Sequence, residues 1–319
     1  MSVLQSELDA RLDAAVAAAR KQIGEAYPIV VDTTCWRWRA GELRVRGGVL
    51  APAQAEIYRS VLSRELDHED VPIPLVLSSL GSLWQLHRWL PLRGVEPVDL
   101  LRSVAGVLQT QWLPPGWVRH FADDVEQDLV LVQLADATLG WMNRERLDFA
   151  AQGPLEDPWA HFGRPSLDGT VAPTTGSATD KRRADANQEL AGEARSWLGL
   201  PYLWGGNTRS AADCSGFVQS VLLEASGILL PKNTADQQRH GEEIQLGELR
   251  AGDLLFVKGR ELGLRHVALV LEDTEDPTSL SVVHASMSRD IILEERLDIF
   301  MPRHQFTCGR RILHWPEDT

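Results

Sequence analysis

Residues 214–226 read CSGFVQSVLLEAS, and within them Phe217, Val218, Val221, Leu222 and Ala225 recur at i, i+1, i+4, i+5 and i+8. That spacing predicts a helix with one apolar face, closed by Gly227. Cys214 therefore opens a helix, where unpaired backbone N–H groups and the positive end of the dipole favour a thiolate and a developing oxyanion. It is a candidate nucleophile. Upstream, residues 188–202 (QELAGEARSWLGLPY) place Leu190, Ala194, Trp197 and Leu198 on one helical face. Residues 200–213 (LPYLWGGNTRSAAD) then form a glycine-bearing loop into the cysteine.

Downstream of Cys214, residues 252–259 (GDLLFVKG), 266–273 (HVALVLED), 280–287 (LSVVHASM) and 290–297 (DIILEERL) are short apolar or alternating runs separated by turns. They predict a mostly antiparallel sheet packed against the Cys214 helix. His266 begins one strand and His284 lies on the next. If these two strands pair as antiparallel neighbours, the imidazoles meet at one end of the sheet, where His284 orients His266 and His266 takes the thiol proton. The other histidines, including His87, His120, His240, His304 and His314, have no such pairing and read as surface or packing residues, and Cys35 and Cys308 lack the helix-opening context.

Composition bounds the rest. With 319 residues, 44% hydrophobic and 24% charged, the chain is expected to fold into two or three domains. Its net charge of −13 opposes nucleic acid and anionic lipid surfaces, leaving room only for a local basic patch. The opening MSVLQSELDARLDAAVAAARKQ lacks the pattern of an export signal, and no apolar run reaches the roughly 20 residues of a membrane helix. The three cysteines are widely spaced, without a CxxC pair, so neither a disulfide framework nor a thiolate zinc site is expected, and a reducing cytoplasm fits.

Residues 1–80 read as a small α-β-β-α-β unit of unassigned role, with PIPLVLSSL as its last strand. Residues 81–150 are rich in Trp and short strands and predict a small β-barrel; DLVLVQLADATLGWMNRERL resembles the end of bacterial SH3-like domains. Residues 151–182, dense in Pro, Gly, Ser and Thr, read as a linker, leaving 183–319 as the segment that carries chemistry.

Six blocks of that segment, LGLPYLWGG, DCSGFVQ, LLPKNTADQQ, LRAGDLLFV, HVALVL and VVHAS, stand in one order from about residue 188 to 313. Together they resemble the NlpC-type cysteine peptidases of the NlpC/p60 superfamily, papain-like enzymes that cleave stem peptides of bacterial cell walls. The resemblance implies an α+β catalytic domain, helices on an antiparallel sheet, preceded by the SH3-like barrel and the N-terminal α/β unit. It implies Cys214 as nucleophile, His266 as general base, His284 as the orienting third member and Tyr202 beside the oxyanion. Asp213 and Ser215 match relatives that bind the free amino group of an N-terminal L-Ala, and Trp204 belongs to the same substrate-binding region. Arg265, just before the base, is a departure whose charge would lower the imidazole pKa if it pointed inward.

The whole layout resembles the murein-peptide recycling subgroup. That implies a cytoplasmic enzyme that hydrolyses the γ-D-Glu to diamino acid bond of short muropeptides, with no metal or organic cofactor. A less selective endopeptidase acting on intact wall, and a catalytically inactive protein that binds wall fragments, are the alternatives.

Overall fold

In the computed structural model of the chain, the described residues are 3–26, 32, 34–39, 42–46, 48–49, 52–66, 81–82, 88–102, 106–113, 115–124, 126–165, 183–271 and 280–313. They form two compact units, Met1–Arg88 with Arg119–Asp124, and Trp89–Val118 with Val125–Thr319. No helix among the described residues is long and apolar enough to cross a membrane.

In the first unit, helices α1 (Val3–Ala26) and α2 (Pro52–Leu66) accompany a hairpin of β1 (Cys35–Arg39) and β2 (Glu42–Arg46), with Cys35 opposite Arg46 and Arg39 opposite Glu42. Leu12, Ala15, Ala19 and Ile23 recur at helical spacing and pack with Tyr58, Val61 and Leu62 in one apolar cluster. Asp32 binds Arg20 at 2.9 Å and the Thr34 backbone N–H at 2.8 Å, and accepts from the Tyr58 hydroxyl. Burial, reinforced by Asp32, pushes the Tyr58 phenol up to about 12. The α-β-β-α part of the expected order is present; the expected strand PIPLVLSSL (72–80) lies outside the described residues.

Among the described residues, the second unit contains two large sheets and a short two-stranded pairing of Asn207–Thr208 with Ala211–Ala212. In the first of these, β3 (Val98–Leu101), β4 (Leu108–Trp112), β5 (Leu129–Gln133) and β6 (Leu139–Asn143) run antiparallel in the order β5-β6-β3-β4. Val98, Leu100, Val130, Val132 and Met142 form its core with Leu90 and Val118. Residues 151–165, which the composition assigns to a linker, are packed instead. Trp159 is buried, donates its indole N–H to the Trp117 carbonyl at 3.0 Å and meets Trp89 edge-on at 4.6 Å. The cause is apolar area: Trp159 and Phe162 cover Ala135 and Leu229. The remainder, 166–182, lies outside the described residues.

The second sheet consists of β7 (Glu242–Ile244), β8 (Leu254–Gly259), β9 (Arg265–Val270), β10 (Ser281–Ser286), β11 (Ile291–Arg296) and β12 (His304–Arg311). All neighbours are antiparallel, in the order β7-β12-β8-β9-β10-β11. Helices α3 (Arg183–Arg195) and α4 (Cys214–Ser226) accompany it. Alternation along the strands sends Leu254, Phe256, Val267, Leu269 and Val283 to the cluster holding Phe217, Val218, Val221 and Leu222 of α4. Leu255, Val257, Ala268, Val270 and Val282 point the other way, onto Ile244, Leu297 and Phe300. Both faces are covered, which is why these strands read as unbroken apolar runs. Because α3 ends at Arg195, Trp197 is fully buried from a turn, whereas Leu198 is left exposed, unlike the continuous helical face read from the sequence.

The first sheet is joined to α4 by side chains. Gln219 of α4 donates to the buried Asp136 at 2.9 Å, and the Gln111 backbone N–H donates to Asn207 at 3.2 Å. Burial pushes the Asp136 carboxyl up, against the bonds it accepts from Thr138 and Gln219.

Candidate active site

Cys214 is the first residue of α4, as its sequence context implies. Asp213 caps the helix by accepting from the Gly216 backbone N–H at 2.7 Å, and Gly227 ends it in the left-handed region at φ 72°. Gly216 is required for the seat: a Cβ there would lie 2.0 Å from the Gly206 carbonyl oxygen. The Cys214 sulfur is buried 3.7 Å from the Thr234 hydroxyl. Burial, with the Asp213 charge behind it, raises the thiol pKa, opposed by hydrogen bonds from Thr234 and the Val267 N–H. The helix start thus does not by itself leave a standing thiolate; desolvation outweighs it.

Strands β9 and β10 are antiparallel neighbours, with Leu269 opposite Val283 and Val270 opposite Val282. That register brings His266 Nε2 to 2.9 Å from His284 Nδ1. Val267, whose N–H reaches the Cys214 sulfur, directly follows His266, and both Cys214 and His266 line one cleft. The His266 pKa lies well below 6.5, first through burial and then through His284, His304 and Arg303. Arg265, the expected source of such a charge, is exposed and makes no such contribution; Arg303 takes its place. His304, read from sequence as surface or packing, stacks on the His266 ring at 5.6 Å.

Two further residues complete this cluster and carry no signal in the linear sequence. Glu295 on β11 meets His284 Nε2 at 2.8 Å, and its carboxylate also receives Arg303. Burial works against the Glu295 charge, but the His284 hydrogen bond and Arg303 prevail and hold its carboxyl below the usual value. Only the register, which sets Val282 opposite Glu295 and His284 opposite Leu293, puts Glu295 on the diagonal from His284.

Asp213 is more heavily engaged than expected. Lys232 Nζ lies 2.8 Å from each of its oxygens, the Gly205 N–H donates to Oδ2 at 2.8 Å, and the Ser215 hydroxyl donates to Oδ1 at 3.2 Å. The place expected for a substrate ammonium is therefore taken by the ammonium of Lys232, itself buried in the cleft wall. Ser215 is buried too, its carbonyl accepting from Gln237 at 2.9 Å. Lys232 belongs to the block LLPKNTADQQ, so its presence was visible in the sequence but not its partner.

Tyr202 lines the same cleft, and burial followed by the charges of Cys214 and Asp213 raises its phenol pKa. Trp204 stands 56% exposed at the cleft, positioned to cover a ligand rather than the core. The cleft encloses about 570 Å³. Arg102, Leu108 and Gln109 of the first sheet form part of its wall, and Gln109 is tied to Asn233 at 3.4 Å. Arg260 and Arg265 also line it; neither guanidinium has a hydrogen-bond or ion-pair partner among the described residues, and Glu261 is the one acidic lining residue besides Asp213. A cationic recess thus opens in a chain of net charge −13. Among the described residues, no group of three or more His, Cys, Asp or Glu side chains is arranged to hold a metal ion.

The model of the NlpC/P60 family matches residues 199–309. The probable endopeptidase NlpC of Escherichia coli (strain K12) is 34% identical over 135 residues, 41% of this chain and 83% of that protein. The chain belongs to the NlpC/P60 family, a family of cysteine peptidases. The murein DD-endopeptidase MepS/murein LD-carboxypeptidase of the same strain is 31% identical over 132 residues, 41% of this chain, which spans 66% of that relative's length. The gamma-D-glutamyl-L-lysine dipeptidyl-peptidase of Bacillus subtilis (strain 168) is 43% identical over 75 residues, 23% of this chain and 25% of that protein.

Proposed function

We propose that this protein is a cysteine endopeptidase that hydrolyses the γ-D-Glu to diamino acid bond of short peptidoglycan stem peptides in the cytoplasm. The observation that carries the proposal is the assembly of Cys214, at the head of α4, with the hydrogen-bonded His266 and His284 in one cationic cleft. In the proposed reaction His266 removes the proton from Cys214, and the sulfur attacks the γ-carbonyl carbon. Backbone N–H groups at the start of α4 and the Tyr202 hydroxyl hold the oxyanion. His266 then gives its proton to the leaving amine, and a thioester remains. Water, activated by the same imidazole, attacks the thioester and regenerates the thiol.

Charge supports the substrate class. A γ-linked D-Glu keeps its α-carboxylate and the diamino acid brings at least one more, matching Arg260 and Arg265, whose guanidinium groups have no partner among the described residues. The wall built by Arg102, Leu108 and Gln109 favours a short ligand. A free N-terminal amine is not part of the proposal, because Lys232 already occupies Asp213. The three cysteines are all free thiols, Cys35 exposed and Cys214 and Cys308 buried, in keeping with a reducing compartment.

The test is mass spectrometry of products from L-Ala-γ-D-Glu-diaminopimelate and from intact sacculi. Release of L-Ala-D-Glu from the small peptide alone, lost in Cys214→Ala, is the expected result. Efficient solubilisation of sacculi would favour the less selective wall endopeptidase, a reading to which the name of the MepS relative lends weight. Binding of fragments without turnover by the wild-type chain would favour the inactive binding protein.

A further inference from the structure

We infer that Glu295 is a positioning residue that fixes the proton map of both active-site imidazoles and so leaves His266 Nδ1 as the bare, basic nitrogen. The inference rests on the cysteine-peptidase reading and deepens it. An ionised carboxylate can only accept, and Glu295, held ionised by His284 and Arg303, lies 2.8 Å from His284 Nε2. His284 Nε2 must therefore carry hydrogen. When the ring is neutral its other nitrogen is a lone pair; His284 Nδ1 then accepts across the 2.9 Å contact and His266 Nε2 carries the hydrogen. His266 is neutral at ordinary pH, which leaves Nδ1 as its one basic atom.

The direction of every bond in the row thus follows from one buried carboxylate. Proton transfer from Cys214 makes His266 an imidazolium with hydrogen on both nitrogens; its Nε2–H still donates to His284, which still donates to Glu295. No bond in the row has to reverse, and the new positive charge faces a carboxylate at the end of the row. Glu295 touches neither sulfur nor substrate and acts only through His284. Its second oxygen, Oε2, is buried with no hydrogen-bond partner among the described residues, and both His284 and Arg303 are served by Oε1.

Long-range 1H–15N spectra of the 15N-histidine-labelled full chain, recorded above the histidine titration range, test this. The wild-type protein should show both rings protonated at Nε2 and bare at Nδ1. Glu295→Met, of similar length but without a carboxylate, should give mixed tautomers at both rings and lower kcat about tenfold or more with KM moved less than about twofold. Glu295→Gln, whose amide oxygen can still accept, should restore the wild-type tautomers in part. A wild-type His266 protonated at Nδ1, or a folded Glu295→Met chain with unchanged tautomers and kcat, would overturn the inference. If Glu295→Met does not fold, the wild-type spectrum still decides. The spectra need no substrate, so failure of the stem-peptide proposal is read separately.

Discussion

Cys214 and His266 line one cleft, and desolvation there raises the thiol pKa and lowers the imidazole pKa. The depressed His266 value means that the base stays bare as pH falls through 6.5 and is protonated only further down. The acid limb of kcat/KM is therefore expected below pH 6.5 in a stopped assay across pH, and an acid limb at or above 6.5 would contradict the burial argument. The same depression has a stability sign: the unfolded imidazole takes its proton first, so this contribution is complete above 6.5 and is lost as pH falls through the folded value. Lys232 offers a second test at this scale. Lys232→Met leaves Asp213 buried without its cation and is expected to cost about 3 kcal/mol in urea unfolding, with slower thiol alkylation, since Lys232 also helps to lower the Cys214 pKa.

Helix α4 works because its first turn sits against the Gly206 carbonyl. Gly216→Ala would place a methyl 2.0 Å from that oxygen, and a loss of about 3 kcal/mol with displaced Cys214 chemistry is expected from denaturation and activity measured together. The hairpin between β8 and β9 carries Arg260 and Arg265 into the cleft. The double variant Arg260→Gln, Arg265→Gln should lower kcat/KM about tenfold for a peptide with free carboxylates, and much less for its α-amide; equal losses on both would remove the carboxylate reading. What the sequence disclosed divides along the same lines. Cys214, His266 and His284 were legible because each sits in a short block whose helix or strand period is local. Glu295 was not, because its value depends on which residue of β10 it faces across a ladder, and neither was the Lys232–Asp213 pair, which joins two blocks 19 residues apart.

Across the second unit, the junction between the first sheet and α4 is polar at its centre, where Gln219 meets a carboxyl whose pKa burial has raised. Such a group is penalised as pH rises above its unfolded value of 3.8, so Asp136→Asn should raise Tm at pH 7 by a margin that shrinks as pH falls toward 4. Thermal melts at several pH values would show it, and a variant less stable at pH 7 would mean the charge is needed there. The packing of the stretch 151–165 was not readable from composition, because Pro and Gly content masks the burial of Trp159. The state of the sulfur carries a last consequence. Peroxide attacks thiolates far faster than thiols, so burial that favours the protonated form of Cys214 slows its oxidation between substrates. Under oxidative stress the solvent-facing Cys35 would be the first to record damage, while the working thiol survives in its reduced form.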